Sequence, residues 1–229
     1  MTKTDFRRAL RSPGFIAAYA GTVVIVLINA FLELLPMLEP DMLSMGLMYG
    51  QHAALIQAAL SSRLVLMATP ILCALPYTAA FIDDHRSGLI KLYVPRCGKR
   101  SYVKSKLMAT AISGGLPLFL GILTAYFIAW LAISPLELAL QEGMPKEAML
   151  YPVVLKAALF MLCGGFWSMV GALSGTLTMN KYMAYASPFI FYYLLVILCE
   201  RYIKKLYVLN PYEWLVYSIA VSRRLYDAI

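Results

Sequence analysis

The sequence is poor in charge and in groups that bind metals. Of its 229 residues, 14% are Asp, Glu, Lys or Arg, against roughly 25% in a typical soluble domain, whereas 61% are hydrophobic. The two histidines and four cysteines form no CxxC pair and no clustered ligand motif. These figures exclude a disordered tail, a disulfide-rich domain and a water-soluble globule. They predict a membrane protein with no metal site.

A nucleotide-binding motif is also lacking. The only Gly-Lys pair is Gly98-Lys99. It is followed by Arg100, at the position where a P-loop requires Ser or Thr. No glycine stands five residues before Gly98, as that motif requires. We therefore expect that this chain binds no ATP and no other cofactor.

Ser174, in a glycine-rich stretch, is the one candidate nucleophile for intramembrane catalysis. A nucleophilic serine needs a base, and no membrane-embedded His or carboxylate is predicted beside it. Gly171 and Gly175 have GxxxG spacing, which is typical of closely packed membrane helices. We predict helix packing and no catalytic residue, with a small intramembrane enzyme as the competing interpretation.

Long apolar runs dominate the rest of the chain. A helix needs about 20 apolar residues to cross roughly 30 Å of hydrocarbon. Five stretches meet or approach this length. They are Gly14–Pro36, Leu64–Ile82, Leu107–Ile133, Pro152–Met179 and Met183–Leu198. The sequence predicts an all-α membrane protein with one transmembrane domain over residues 13–229, and a sixth span if the chain continues past Ile229.

The charge of the connections alternates along the chain. Residues 1–12 and 83–106 are basic, whereas residues 37–62 and 134–150 are mainly acidic. Because positive loops stay in the cytoplasm, this alternation predicts a multi-pass protein of the cell membrane with a cytoplasmic N-terminus. The net charge of +8 is thereby explained by loops, and nucleic-acid binding is not expected.

Residues 1–12 have an amphipathic pattern. Phe6 and Leu10 recur one helical turn apart, with Arg7, Arg8 and Arg11 around them. This pattern predicts a helix on the inner surface of the bilayer, and a disordered basic leader is the alternative.

Ionisable residues are predicted to stay away from the middle of the membrane. Glu33 and Lys156 lie near the ends of their spans, where long side chains can reach the interface, and His52 and His85 are placed in loops. A proton relay needs such groups at membrane depth. The energy for any transport should therefore come from another subunit.

The cytoplasmic connection at residues 83–106 carries an acidic pair, a Ser-Gly, a short helix, a Pro beside a basic residue, and a Tyr then a Lys before the next span. The residues are Asp83, Asp84, Ser87, Gly88, Pro95, Arg96, Tyr102 and Lys106. In this order, they resemble the permease subunits of type-2 ATP-binding-cassette (ABC) transporters. The resemblance implies six membrane spans, and the C-terminal part of this chain departs from that pattern because no sixth span is found in it.

The resemblance implies an exporter of a hydrophobic or amphipathic substrate, such as a peptide antibiotic, a drug or a lipid. It implies two separate ATPase subunits that hold ATP and Mg²⁺, and a second permease copy or homologue. Residues 83–102 would be the surface that couples to the ATPase, with Arg86, Arg96 and Arg100 as candidates for salt bridges. The alternatives are a basic loop that touches anionic lipid and a scaffold that transports nothing.

Overall fold

The computed structural model describes residues 2–38, 50–137, 150–202 and 211–216, and these residues are almost entirely helical. The helices are α1 (Thr2–Leu10), α2 (Pro13–Leu34), α3 (Gln51–Ser61), α4 (Arg63–Ala74), α5 (Ala80–Arg86), α6 (Leu89–Cys97), α7 (Lys99–Ile133), α8 (Leu150–Thr178), α9 (Lys181–Ile197) and α10 (Pro211–Val216). A π-helical turn, Leu198–Tyr202, extends α9. No strand is present in these four ranges, so the expected all-α architecture is confirmed there.

Four helical segments are long and apolar enough to cross a membrane. They are Pro13–Met37, Lys99–Leu136, Leu150–Thr178 and Lys181–Tyr202. The pair α3 and α4, bent by 69° at its break, makes a fifth candidate by length and composition. The acidic connections at 39–49 and 138–149, and most of the tail where a sixth span was considered, lie outside the described residues.

The turns between helices follow from local sequence. The Ser12 hydroxyl accepts a hydrogen bond from the backbone N–H of Phe15 at 3.1 Å, and Pro13 occupies the first turn of α2, where its missing N–H costs nothing. Gly88 and Gly98 bound α6 with φ of 73° and 76°, in the region that favours glycine. The connection between α4 and α7 is therefore a set of short, well-defined helices.

Small residues let α8 approach its neighbours closely. A Cβ added to Gly115 of α7 would lie 2.1 Å from the Met161 carbonyl oxygen of α8. On the α9 side, a Cβ at Gly171 would lie 2.6 Å from the Ala184 carbonyl oxygen, and one at Gly175 would lie 2.5 Å from the Ala184 Cβ. Gly171 and Gly175 therefore form the contact surface between α8 and α9.

The region that the sequence assigned to an acidic external loop contains a buried helix, so that expectation is wrong for residues 51–61. In α3, the side chains of Leu55, Ile56, Ala59 and Leu60 are at most 2% exposed. With only eleven residues, α3 is too short to be recognised as a span. His52 lies in this helix and not in a loop, and His85 lies in α5.

Charged side chains hold both ends of α3. The Glu137 carboxylate accepts hydrogen bonds from the backbone N–H groups of Gly50 at 3.1 Å and His52 at 2.9 Å, and its Oε1 lies 2.8 Å from Nδ1 of His52. At the other end, Lys156 Nζ donates to the Gln57 carbonyl oxygen at 3.1 Å and to Ser61 Oγ at 2.7 Å. An anion at the N-terminus and a cation at the C-terminus both complement the helix dipole.

The position of Lys156 overturns the expectation that it reaches the membrane interface. The residue is 2% exposed, because its ammonium is held at the C-terminal end of α3. The prediction failed since it treated α8 alone, without the buried helix that receives the side chain.

The second predicted span, Leu64–Ile82, is not one continuous helix. Helix α4 ends at Ala74, residues 75–79 form a turn, and α5 begins at Ala80. Pro76 lies in this turn because it has no N–H with which to continue the helix. The carbonyl of Pro76 accepts a hydrogen bond from Ser12 Oγ at 3.0 Å, so the turn packs against the start of α2.

Candidate functional site

The predicted coupling residues lie at one end of the helix bundle, which we call the α1 end; the opposite end is called the far end. Residues 80–106, here named the connecting segment, comprise α5, α6 and the first two turns of α7. Helix α1 and the start of α9 lie at the same end, since side chains of both contact this segment. The structure thus brings the segment together with two parts of the chain that are distant in sequence.

Four charged residues form a partly buried charge cluster between α1 and the connecting segment: Asp5, Arg8, Asp84 and Lys106. Lys106 Nζ lies 2.6 Å from Asp84 Oδ2 and 2.9 Å from Asp5 Oδ1. Arg8 Nη1 lies 2.6 Å from Asp84 Oδ1. Two acids and two bases make the cluster neutral, which lowers the cost of removing its charges from water.

Three hydroxyl groups complete the charge cluster. Tyr77 accepts a hydrogen bond from Lys106 Nζ at 2.8 Å and donates to Asp5 at 3.1 Å. Ser105 Oγ donates to Asp5 at 2.6 Å, and Tyr102 donates to Asp84 at 3.1 Å. Every oxygen of the two carboxylates therefore has a donor, so the cluster stabilises one fixed position of α1.

Both carboxylates of the charge cluster stay ionised at neutral pH. Burial raises the pKa of Asp5. Hydrogen bonds from Ser105 and Lys106 and the charge of Lys106 lower it by more than burial raises it, so the net pKa is below its usual 3.8. The pKa of Asp84 is lowered in the same way, because Lys106 and Arg8 outweigh burial. The ion pairs therefore persist under physiological conditions.

The acidic pair of the connecting segment makes two different attachments. Asp83 forms an ion pair with Lys181 at the start of α9. Asp84 faces the other way, toward α1 and α7, through Arg8 and Lys106. Adjacent positions on α5 thus tie the segment to both sides of the bundle.

Of the remaining predicted coupling residues, Gly88 is partly buried and the others are exposed. Basic side chains of the connecting segment project from the α1 end, and we call them the basic face. They are Arg86, Lys91, Arg96, Lys99, Arg100 and Lys104. Ser87 and Pro95 are also exposed, and the Ser87 hydroxyl donates to the Asp83 carbonyl oxygen at 2.8 Å.

The structure therefore divides the predicted coupling residues into two groups. Asp84 and Tyr102 are only 5% and 4% exposed, and hold the segment in place. Sequence reasoning missed Asp5 and Lys181, which belong to the attachments. The sequence does contain one indication of the role of Asp5, because it is the only acid in an otherwise basic amphipathic helix.

Ser174 is the residue that the sequence offered for intramembrane catalysis. The Ser174 hydroxyl donates to the Val170 carbonyl oxygen at 3.0 Å, and in the described part of the chain no histidine or carboxylate hydrogen-bonds to it. No group of three or more His, Cys, Asp or Glu residues there could hold a metal ion.

Comparison with known proteins adds no assignment to this geometry. No family model, no curated protein and no solved structure matches the chain.

Proposed function

We propose that this chain is the permease subunit of an ATP-driven exporter of the type-2 ABC class that its sequence resembles. The α1 end is cytoplasmic, and α1 lies at the inner membrane surface. ATP and Mg²⁺ bind to two separate ATPase subunits, and a second copy of the permease or a homologue completes the transporter. The substrate is hydrophobic or amphipathic.

The observation that supports this proposal most strongly is the anchoring of the connecting segment. Its exposed basic face lies on α5, α6 and the start of α7, and this segment is tied to α1 and to Lys106 of α7 through Asp84 and to α9 through Asp83. A protein that pushes on α6 would therefore move several long helices together. Rigid-body movement of this kind is how closure of an ATPase can be transmitted into a membrane.

Charge supports the choice of partner surface. Arg86, Arg96 and Arg100 are exposed at the α1 end and have no ion-pair partner among the described residues. An acidic groove on a cytoplasmic subunit would complement them, and complementary potentials favour fast and specific association. In this assignment, Asp84 and Tyr102 position the segment and do not touch the ATPase.

Exposed apolar side chains support membrane placement. In α2, Ile16, Val24, Ile28 and Phe31 are each more than half exposed. Large exposed apolar surfaces of this kind indicate contact with lipid or with another protein. Both the bilayer and a second permease copy would cover such a surface.

The test is purification of the tagged full-length chain from its native membrane in mild detergent. We expect ATPase subunits to co-purify, and the eluate to hydrolyse ATP in a vanadate-sensitive manner. The double variant Arg96→Glu/Arg100→Glu should lower ATPase recovery by about tenfold or more, because like charges then meet at the interface.

Arg201→Glu is the matched control, since Arg201 is an exposed arginine at the far end. It should leave ATPase recovery unchanged. If the folded wild-type chain is repeatedly recovered alone, a membrane scaffold or enzyme becomes the better assignment. If the double variant Arg96→Glu/Arg100→Glu recovers as much ATPase as Arg201→Glu does, the basic face is not the docking surface.

A further inference from the structure

A second candidate site lies at the far end, away from the connecting segment. A cavity of about 210 Å³ opens between the start of α4, the end of α9 and α10. Its lining residues are Arg63, Met67, Tyr192, Val196, Glu200 and Tyr212. Glu200 lies on the π-helical turn that follows α9, and such turns are frequent at functional sites.

Tyr192 is the polar residue at the buried side of the cavity. The residue is 1% exposed, and its hydroxyl has no hydrogen-bond partner in the described part of the chain. Buried hydroxyl groups normally have a partner. The hydroxyl itself has almost no accessible surface, so Tyr192 forms the buried wall of the cavity and its hydroxyl is not a contact for a bound molecule.

Opposite charges flank the mouth of the cavity. The side chains of Arg63 and Glu200 are exposed and line the same space, yet they form no ion pair with each other or with any described residue. Two unpaired charges of opposite sign on one cavity favour a ligand that carries both an anion and a cation.

The size and surroundings of the cavity indicate the class of ligand. At about 210 Å³, it is smaller than the roughly 300–1,000 Å³ of sites for drug-sized molecules. Arg63 begins α4, and the exposed apolar residues Leu64 and Ile71 continue along that helix. On α9, Leu194 and Ile197 are similarly exposed. A polar headgroup in the cavity could thus continue into acyl chains that cover these apolar residues.

We propose that the far-end cavity binds the headgroup of phosphatidylethanolamine from the adjacent membrane leaflet. Arg63 binds the phosphate, because a guanidinium matches phosphate geometry with two parallel N–H donors. Glu200 accepts hydrogen bonds from the ammonium group. The site needs the membrane placement of the chain but not its coupling to an ATPase.

The same chemistry distinguishes this lipid from its neighbours. Phosphatidylglycerol has the phosphate but no ammonium for Glu200. Phosphatidylcholine has a cation without N–H groups, which cannot donate hydrogen bonds. Free phosphoethanolamine carries both charges but lacks the acyl chains that would contact Leu64 and Ile71.

The test is native mass spectrometry of the full-length protein released from detergent with phosphatidylethanolamine, phosphatidylglycerol and phosphatidylcholine of identical acyl chains. We expect the wild type to retain one phosphatidylethanolamine per chain about tenfold more strongly than either other lipid. Glu200→Gln should remove the preference over phosphatidylglycerol. Arg63→Gln should weaken retention of both.

Arg201→Gln is the matched control, because Arg201 is an exposed arginine next to Glu200 that does not line the cavity. It should change nothing, and gel filtration of every variant checks its folding. Equal retention of the three lipids by the wild type, or equal behaviour of Arg63→Gln and the control, would overturn the proposal. Soluble glycerophosphoethanolamine that binds as tightly as the lipid would overturn the lipid as the ligand.

Discussion

The ammonium nitrogen of Lys106 lies 2.6 Å from a carboxylate oxygen of Asp84, in a pair whose side chains are 9% and 7% exposed. The same nitrogen lies 2.9 Å from Asp5. One cation thereby joins the N-terminal helix, the connecting segment and the longest helix of the bundle. Removing it would leave two buried carboxylates with only Arg8 to compensate them.

Lys106→Met should therefore destabilise the protein by about 3–5 kcal/mol, the usual cost of breaking a buried ion pair from one side. The measurement is the unfolding temperature of the detergent-solubilised protein, together with hydrogen exchange of residues 2–12. We expect faster exchange in α1, because Asp5 loses its ion pair with Lys106.

Lys104→Met is the control for this variant, since Lys104 lies two residues away and is exposed. It should change the unfolding temperature little. Equal effects of the two substitutions would show that the charge cluster does not hold α1.

Acid should weaken the attachment of α1. Because the folded-state pKa values of Asp5 and Asp84 lie below the usual 3.8, both carboxylates stabilise the folded state above that value. This contribution is lost as the pH falls through the folded-state pKa values. Thermal stability from the cluster should be constant between about pH 8 and pH 5 and should decrease below about pH 4.

The variant Asp5→Asn isolates this pH effect. It should be less stable than the wild type at pH 7, with a smaller further loss on acidification, because one of the titrating groups is absent. Glu33→Gln, at an exposed carboxyl, is the control and should follow the wild-type profile. A parallel acid profile for Asp5→Asn and the wild type would contradict the assignment.

The sequence predicted most of the long helices because their signal is local. Runs of apolar residues place α2, α7, α8 and α9. Helix α3 escaped prediction, since eleven residues give no span signal and its apolar content looked like part of a loop. Lys156 was misplaced as a direct result.

The charge cluster could not be predicted for a different reason. Asp5 and Lys106 are 101 residues apart in the chain, and no periodicity relates them. Their pairing depends on how α1 folds back on the bundle, which only the tertiary structure shows. The resemblance to a transporter family placed Asp84 and Tyr102 among the coupling residues. It did not distinguish the residues that hold the connecting segment in place from those that are exposed on its surface.

Gly175→Ala should destabilise the contact between α8 and α9. The new Cβ would lie 2.5 Å from the Ala184 Cβ, so the helices must separate. Overpacking of this kind costs about 1–3 kcal/mol. Leu177→Ala, on the same helix at a residue that is 77% exposed, is the control and should have a smaller effect on the unfolding temperature. If Gly175→Ala is as stable as the wild type, the two helices do not need this close approach.

The two ends of α3 give the last prediction. Lys156→Met keeps the length of the side chain but removes the cation from the C-terminal end of the helix, and Glu137→Gln removes the anion from the other end. Charges that complement a helix dipole contribute up to about 2 kcal/mol, so Glu137→Gln should lose about 1–2 kcal/mol. Lys156→Met should lose less, because burying the Lys156 ammonium costs part of what its interaction with the helix end contributes.

Lys156→Glu separates an effect of charge from one of packing. Its carboxylate would face the Gln57 carbonyl oxygen and the negative end of α3, so this variant should be clearly less stable than Lys156→Met. Thermal unfolding of the three variants in one detergent measures the order. If Lys156→Met and Lys156→Glu are equally stable, the ammonium does not interact with the helix end. If Lys156→Met instead keeps full stability but loses transport, Lys156 acts in transport and its contact with α3 is not its main role.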